Sequence, residues 1–246
     1  TWEKVGTVNV GLDINLFNNR LNGVFEWYQR NTNGMLAPGV QLPAVVGASA
    51  PYQNTADMRT RGWELSLNWR DQIGKVGYRL GFNLSDYKSK ITKYDDNATT
   101  KLLSSFYPGQ VMGEIWGYVA DGYYSVDDFE DTSSWKLKEG ITSINGYNVR
   151  PGDVKFKNLR DDESSTNVIT SGDNTFDNPG DRKVIGNTTP RYQYGINLGA
   201  NWNGIGLSVF VQGVGKRDWY PMVESGFFWG MYNRPYGYLP KVHTTD

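Results

Sequence analysis

Between residues 191 and 212 hydrophobicity alternates with a period of two on both sides of an Asn203-Gly204 dipeptide. Tyr192, Tyr194, Ile196, Leu198, Ala200 and Trp202 alternate with Gln193, Gly195, Asn197, Gly199 and Asn201. After the dipeptide, Ile205, Leu207, Val209 and Val211 alternate with Gly206, Ser208, Phe210 and Gln212. This period makes each run a strand with one apolar and one polar face. Asn-Gly accepts the positive φ angles of a type I′ turn, so the runs form one hairpin. The first run matches the roughly 9–11 tilted residues that cross a bilayer as a strand. Its second row, of Gly, Asn and Gln, suits a water-filled lumen, while the first row suits lipid.

Two more hairpins repeat the chemistry. Val8, Val10, Leu12, Ile14 and Leu16 alternate with Asn9, Gly11, Asp13 and Asn15, turn at Asn18-Asn19, and return through Leu21, Gly23, Phe25 and Trp27. Trp63, Leu65, Leu67 and Trp69 alternate with Glu64, Ser66, Asn68 and Arg70. After a turn at 71–75, Val76, Tyr78, Leu80, Phe82 and Leu84 come back. The expected fold is all-β, an antiparallel meander of about six strands near 5–17, 20–30, 62–70, 75–87, 191–202 and 205–213. Long loops are expected at 31–61, 88–190 and 214–246, where periodicity stops and Gly and Pro punctuate the chain. The polar row is expected to include Asn9, Asp13, Glu26, Arg30, Glu64, Arg70, Arg79 and Asn197.

The tight turns and the long connections lie at opposite ends of the strands, as in outer-membrane barrels. If every tight turn lies on one side, residues 88–190 contain an even number of strand crossings or none, and none is expected. Phe17, Trp69 and Trp202 stand just before tight turns, where an interfacial aromatic girdle would lie, although aromatics also cap ordinary hairpins. Known membrane barrels start at about eight strands, so six imply further sequence. The opening residues carry no initiator Met and enter a strand pattern almost at once, so the 246 residues are expected to be a piece of a longer chain. The rival architecture is a soluble carbohydrate-binding β-sandwich, whose two apolar faces would meet in one core.

Composition excludes several chemistries. A net charge of −1 leaves no basic footprint for nucleic acid. The absence of Cys removes disulfides and thiolate chemistry. The single His, His243, lies near the end of the sequence, a poor place for a catalytic base. Gly213 and Gly215-Lys216 lack phosphate-loop spacing. Carboxylates are plentiful, but no two stand out as a glycosidase pair, and Asp127, Asp128, Glu130 and Asp131 suit a solvated loop. The chain is therefore expected not to be an enzyme, with no catalytic, cofactor-binding or metal residue assigned.

Several short motifs, in order, resemble the SusC/RagA-type TonB-dependent outer-membrane transporters. They are Trp2 with Asn9, Gly11 and Asp13; Asn19, Arg20 and Leu21; Tyr28 to Arg30; Leu42-Pro43 to Gly47; and Arg61, Gly62, Trp63 and Glu64. Gly113, Glu114, Trp116, Gly117, Tyr118, Asp121-Gly122, Pro151, Gly152, Asp153, Asp181-Arg182, Ile185-Gly186 and Tyr194-Gly195 continue the series. The resemblance implies part of the C-terminal half of a 22-stranded transmembrane barrel in the cell outer membrane. It further implies import of a large nutrient, a glycan (oligosaccharide) or a peptide, together with a SusD-like surface lipoprotein and the TonB complex. The plug and TonB box that such a transporter carries are not recognisable in these residues.

In that family a run of alternating Asp and Asn ending in Asp-Gly often follows Pro-Gly-Asp. Here Arg160 interrupts Asn158 and Asp161 to Glu163, and the Gly is missing, so calcium binding is not assigned. Trp116, Tyr118, Tyr123, Tyr124, Trp219 and Trp229 have two readings: stacking on sugar rings or a lid protein, or packing loops against one another.

Overall fold

The computed structural model describes residues 2–38, 45, 47, 51–94, 106–160 and 167–221. Six long strands form one sheet: β1 (Lys4–Leu16), β2 (Leu21–Pro38), β3 (Tyr52–Ile73), β4 (Val76–Tyr94), and, after the intervening tract, β11 (Arg191–Trp202) and β12 (Ile205–Lys216). Their spatial order is β1-β2-β3-β4-β11-β12, and every pairing in it is antiparallel. β4 is therefore hydrogen-bonded directly to β11, and among the described residues no strand of the intervening tract enters this sheet, which the tract meets at an isolated Lys90–Val111 bridge.

The turns follow from local chemistry. Asn203 and Gly204 take φ of 45° and 86°, the two left-handed residues of a type I′ turn. In the first hairpin Phe17, Asn18 and Asn19 are all left-handed, and the Arg20 amide donates to the Phe17 carbonyl at 3.2 Å. The β3–β4 turn is tighter than the expected 71–75. Asp71, Gln72 and Ile73 stay in the ladder opposite Tyr78, Gly77 and Val76, leaving Gly74 (φ 57°) and Lys75 to reverse the chain.

The strands also outrun their expected ends. β2 continues to Pro38 and β3 begins at Tyr52, so much of the expected loop 31–61 is sheet. β4 runs on to Tyr94 and β12 to Lys216, into stretches expected as loop. The reason is that beyond Gln29, Arg61 and Lys88 one face turns polar, through Asn31, Arg59 and Lys90, while the other carries only scattered apolar residues such as Met58 and Ile91, so hydrophobic alternation fades while the backbone ladder persists.

The tract 88–190 is not aperiodic loop throughout. It holds β5 (Glu114–Gly117), β6 (Ala120–Tyr123), β7 (Ser143–Ile144), β8 (Val154–Phe156), β9 (Val168–Ile169) and β10 (Lys183–Asn187). These pair as β10-β5, β6-β8 and β7-β9, three small sheets beside the main one. Among the described residues, the buried apolar clusters lie at this end. One cluster joins Ala37, Ala56, Ile91 and Tyr94, with Phe106 and Met112 against it. A second joins Tyr124, Phe129 and Val149, with Trp135 and Leu137 at its margin.

Candidate functional site: the two faces of the sheet

Because side chains alternate and paired residues share a face, the register assigns every strand residue to one of two surfaces. Crossing the sheet, one line reads Leu12, Phe25, Leu65, Leu84, Tyr194 and Gly213; the next reads Ile14, Gly23, Leu67, Phe82, Ile196 and Val211. A third runs Leu16, Leu21, Trp69, Leu80, Leu198 and Val209. This apolar face is bare: Leu12 is 60 % exposed and Leu207 67 %. Soluble monomers rarely leave a continuous apolar surface of this extent in water. A sandwich would need a second sheet over this face, and among the described residues no strand covers it.

Aromatic residues stand at both ends of the apolar face. At the tight-turn end, Trp69 packs on Phe17 with ring centres 5.9 Å apart and donates from its indole to the Tyr78 hydroxyl at 3.4 Å. Trp202 lies between Val76 and Ile205. At the other end Trp27 is directly opposite Trp63, a pairing the sequence signalled through alternation but which was not singled out.

The opposite face collects the expected polar row. Glu26 stands between Gly11 and Glu64, Arg30 between Thr7 and Thr60, and Arg79 between Arg70 and Gly199. Asn9, Asp13 and Asn197 fall on the same surface by register. Its glycines make room for longer neighbours. A Cβ on Gly62 would come within 2.5 Å of the Tyr28 ring, which lies across it. A cleft of about 1090 Å³ opens at the tight-turn end, with Arg70, Arg79, Asn201 and Ser208 among its walls.

At the long-connection end, carboxylates organise backbone. Asp181 is buried and accepts from the amides of Leu159 (2.8 Å), Arg160 (3.2 Å) and Thr170 (2.8 Å). Arg182 donates to the Pro179 and Ser171 carbonyls and to Asn174, pinning the turn between them. The Asp181-Arg182 motif thus fastens loops, and the acidic residues 161–163 lie outside the described residues. Glu114 accepts from the Val111 amide at 2.9 Å and from the Tyr107 hydroxyl. Burial, and then that acceptor, push the Tyr107 hydroxyl far up. The Lys155 ammonium, 2.8 Å away, and the Ser125 amide hold Asp128 below the usual carboxylate range. Hydrogen bonds from Ser133 and Ser134 pull Asp131 down likewise. Glu114 stood out only as part of a resembling motif and Tyr107 not at all, because their partnership forms only on folding.

The six aromatics divide. Trp116 donates to the Tyr107 hydroxyl at 3.1 Å, Tyr118 packs on Phe156, and Tyr124 is buried with its hydroxyl donating to the Thr142 carbonyl. Those three pack loops. Tyr123 and Trp219 are exposed, while Trp229 and His243 lie outside the described residues, as do Leu42 and Pro43.

No family model matches the chain. Over 226 residues it is 27 % identical to TonB-dependent receptor P3 of Formosa agariphila, covering 86 % of this chain and 20 % of that protein. Over 154 residues it is 27 % identical to TonB-dependent receptor SusC of Bacteroides thetaiotaomicron, covering 59 % of this chain and 15 % of that one. The chain resembles a segment of the SusC/RagA-type receptors. Among solved structures, the RagAB peptide transporter superposes with a TM-score of 0.54 at 22 % identity, over 86 % of this chain and 21 % of that one. The RagAB peptide importer in its open-open state gives 0.58 at 23 % identity, over 87 % and 20 %. The SusC/RagA-like sheet is thus shared at the level of fold, and these relatives are receptors and transporters rather than enzymes. The chain spans about a fifth of the length of the curated relatives that it matches over most of its own.

Proposed function

We propose that these residues are a stretch of wall from a TonB-dependent transporter of the cell outer membrane. The single observation that supports this most is the bare apolar face shared by all six strands, backed by a polar row of Gly, Asn, Gln and charged residues. In a closed barrel of 22 strands the apolar face meets lipid and the polar face lines the lumen. Lipid contact explains the exposure, and closure through strands outside this segment pairs the free edges of β1 and β12. The tract 106–160 and 167–190 then stands on the outer side with the other long connections.

The parent protein imports a large nutrient, an oligosaccharide or a peptide, with a SusD-like lipoprotein over the barrel and TonB supplying the drive. The likeness to SusC and to the RagAB peptide transporter supports that reading. The experiment is fractionation of the native parent protein. Recovery from detergent-extracted outer membranes, with a heat-dependent shift in gel mobility, is expected. A soluble, monomeric protein that refolds without detergent overturns it.

A further inference from the structure

The apolar face ends abruptly at Trp27 and Trp63. One step further from the tight turns, the same face carries Gln29, Arg61 and Lys88 in line across β2, β3 and β4; the next step carries Asn31, Arg59 and Lys90. Arg61 is directly opposite Lys88, and Arg59 directly opposite Lys90. Paired Cβ atoms lie about 5 Å apart, and two residues along a strand span about 7 Å. Four cations therefore occupy one small square, all of them exposed.

Like charges placed directly opposite destabilise a sheet, and no carboxylate among the described residues offsets these. Asp86, the nearest on β4, has both oxygens taken by Arg191 at 2.5 Å. Asp57, next along β3, accepts the Gly34 amide at 2.8 Å. Among the described residues the guanidiniums of Arg61 and Arg59 donate only to neutral amide oxygens, on Gln29 at 2.8 Å and Asn31 at 3.1 Å. Those bonds engage the Nε–H of each guanidinium.

We propose that Arg59, Arg61, Lys88 and Lys90 form a binding site for the phosphate groups of an anionic lipid in the outer leaflet. This rests on the membrane reading above. The block continues the lipid-facing row immediately past its Trp27–Trp63 border, at the long-connection end, which is the headgroup level of that leaflet. Guanidinium forks hold phosphate oxygens in two parallel hydrogen bonds, and the ammoniums add point charge. The lipid's acyl chains lie down the apolar face, beside Leu65 and Leu84.

The test uses the full-length parent protein in mild detergent. Diphosphorylated lipid A and the same lipid stripped of phosphate are titrated and read by native mass spectrometry. Wild type is expected to prefer the phosphorylated lipid, with the preference falling as salt rises. The fourfold variant Arg59→Gln, Arg61→Gln, Lys88→Gln, Lys90→Gln is expected to lose at least tenfold in affinity for it. Arg70→Gln with Arg79→Gln, on the other face, should bind as wild type does. Should the fourfold variant fail to fold, Lys88→Gln with Lys90→Gln removes half the block and should lose part of the preference. Undiminished binding by a heat-modifiable variant overturns the proposal, as does displacement of the lipid by equimolar inorganic phosphate, which would mark a free-anion site. A parent protein absent from the membrane fraction overturns the transporter reading instead.

Discussion

Arg191, at the first position of β11, closes a two-pronged ion pair on Asp86 of β4, with Nε and Nη2 each 2.5 Å from a carboxylate oxygen. The two residues are 105 positions apart, so this pair fastens the strand that leaves the long tract to the strand that enters it. Asp86 is buried, and the Tyr192 amide adds a third donor at 3.4 Å. Arg191→Met strands that carboxylate. We expect a loss of about 1.5–3 kcal/mol, the range for hydrogen bonds to charged groups. Urea unfolding of the full-length protein in detergent reads it, and a double-mutant cycle with Asp86→Asn should show strong coupling. Strict additivity of the two variants would mean that the pair does no fastening.

Asp181 anchors the tract itself. Asp181→Ala takes the side-chain acceptor from the amides of Leu159 and Thr170 and leaves the Arg160 amide only its bond to Asn158, at about 1–3 kcal/mol for each donor left unpaired away from water. Gly180→Ala reaches the same end by another route. Gly180 is left-handed, and a Cβ there would come within 2.5 Å of the Gly172 amide nitrogen and the Ser171 carbonyl carbon, both backbone. Hydrogen exchange by mass spectrometry should quicken across 167–182 in both variants while β11 and β12 stay protected. Unchanged exchange in that tract would contradict the anchoring role.

What could be read in advance follows a physical line. Alternation reports the contrast between a strand's two surroundings, so it located all three hairpins and placed Asn9, Glu26, Arg79 and Asn197 on one surface. It is blind where apolar residues are too sparse to mark a face. Thr32, Arg59 and Lys90 sit in regular ladders, yet their segments read as loop. The Asn203-Gly204 turn was legible because its φ requirement is local, whereas the short β7 and β9 depend on a parallel pairing between distant residues. Asp181 attracted notice only through resemblance, since an acceptor for amides 11 to 22 residues away leaves no local pattern.

Acid should loosen the tract. Asp128 is ionised in the fold with its pKa lowered by the Lys155 hydrogen bond first and the Ser125 amide next. A lowered value in the folded state means that this stabilisation is present above the unfolded carboxylate value, about 3.9. It is lost as pH falls through the lower folded value. Lys155 also stands over the Tyr124 ring, 5.3 Å from its centre, so the pair ties down the Tyr124, Phe129 and Val149 cluster. Exchange at 124–156 should therefore accelerate below about pH 4, and Lys155→Met should weaken that dependence and raise exchange at neutral pH. Identical pH profiles for the two proteins would remove Lys155 from the account.

The sharpest test separates two adjacent residues of β11. Leu198 lies between Leu80 and Val209 on the apolar face, and Asn197 between Gly81 and Phe210 on the polar one. They are adjacent residues, and their side chains lie on opposite faces of the sheet. An arginine facing hydrocarbon near the bilayer midplane costs about 2–4 kcal/mol, whereas a lumen position tolerates the charge. Leu198→Arg should therefore lower the amount of full-length protein assembled in the outer membrane and weaken its heat-modifiable form. Asn197→Arg should assemble at wild-type levels, since Gly81 and Gly195 leave room on that side for a longer side chain. Surface labelling of intact cells gives the comparison directly. Equal surface levels for the two variants would reverse the assignment of the faces, and the barrel-wall reading would fall with it.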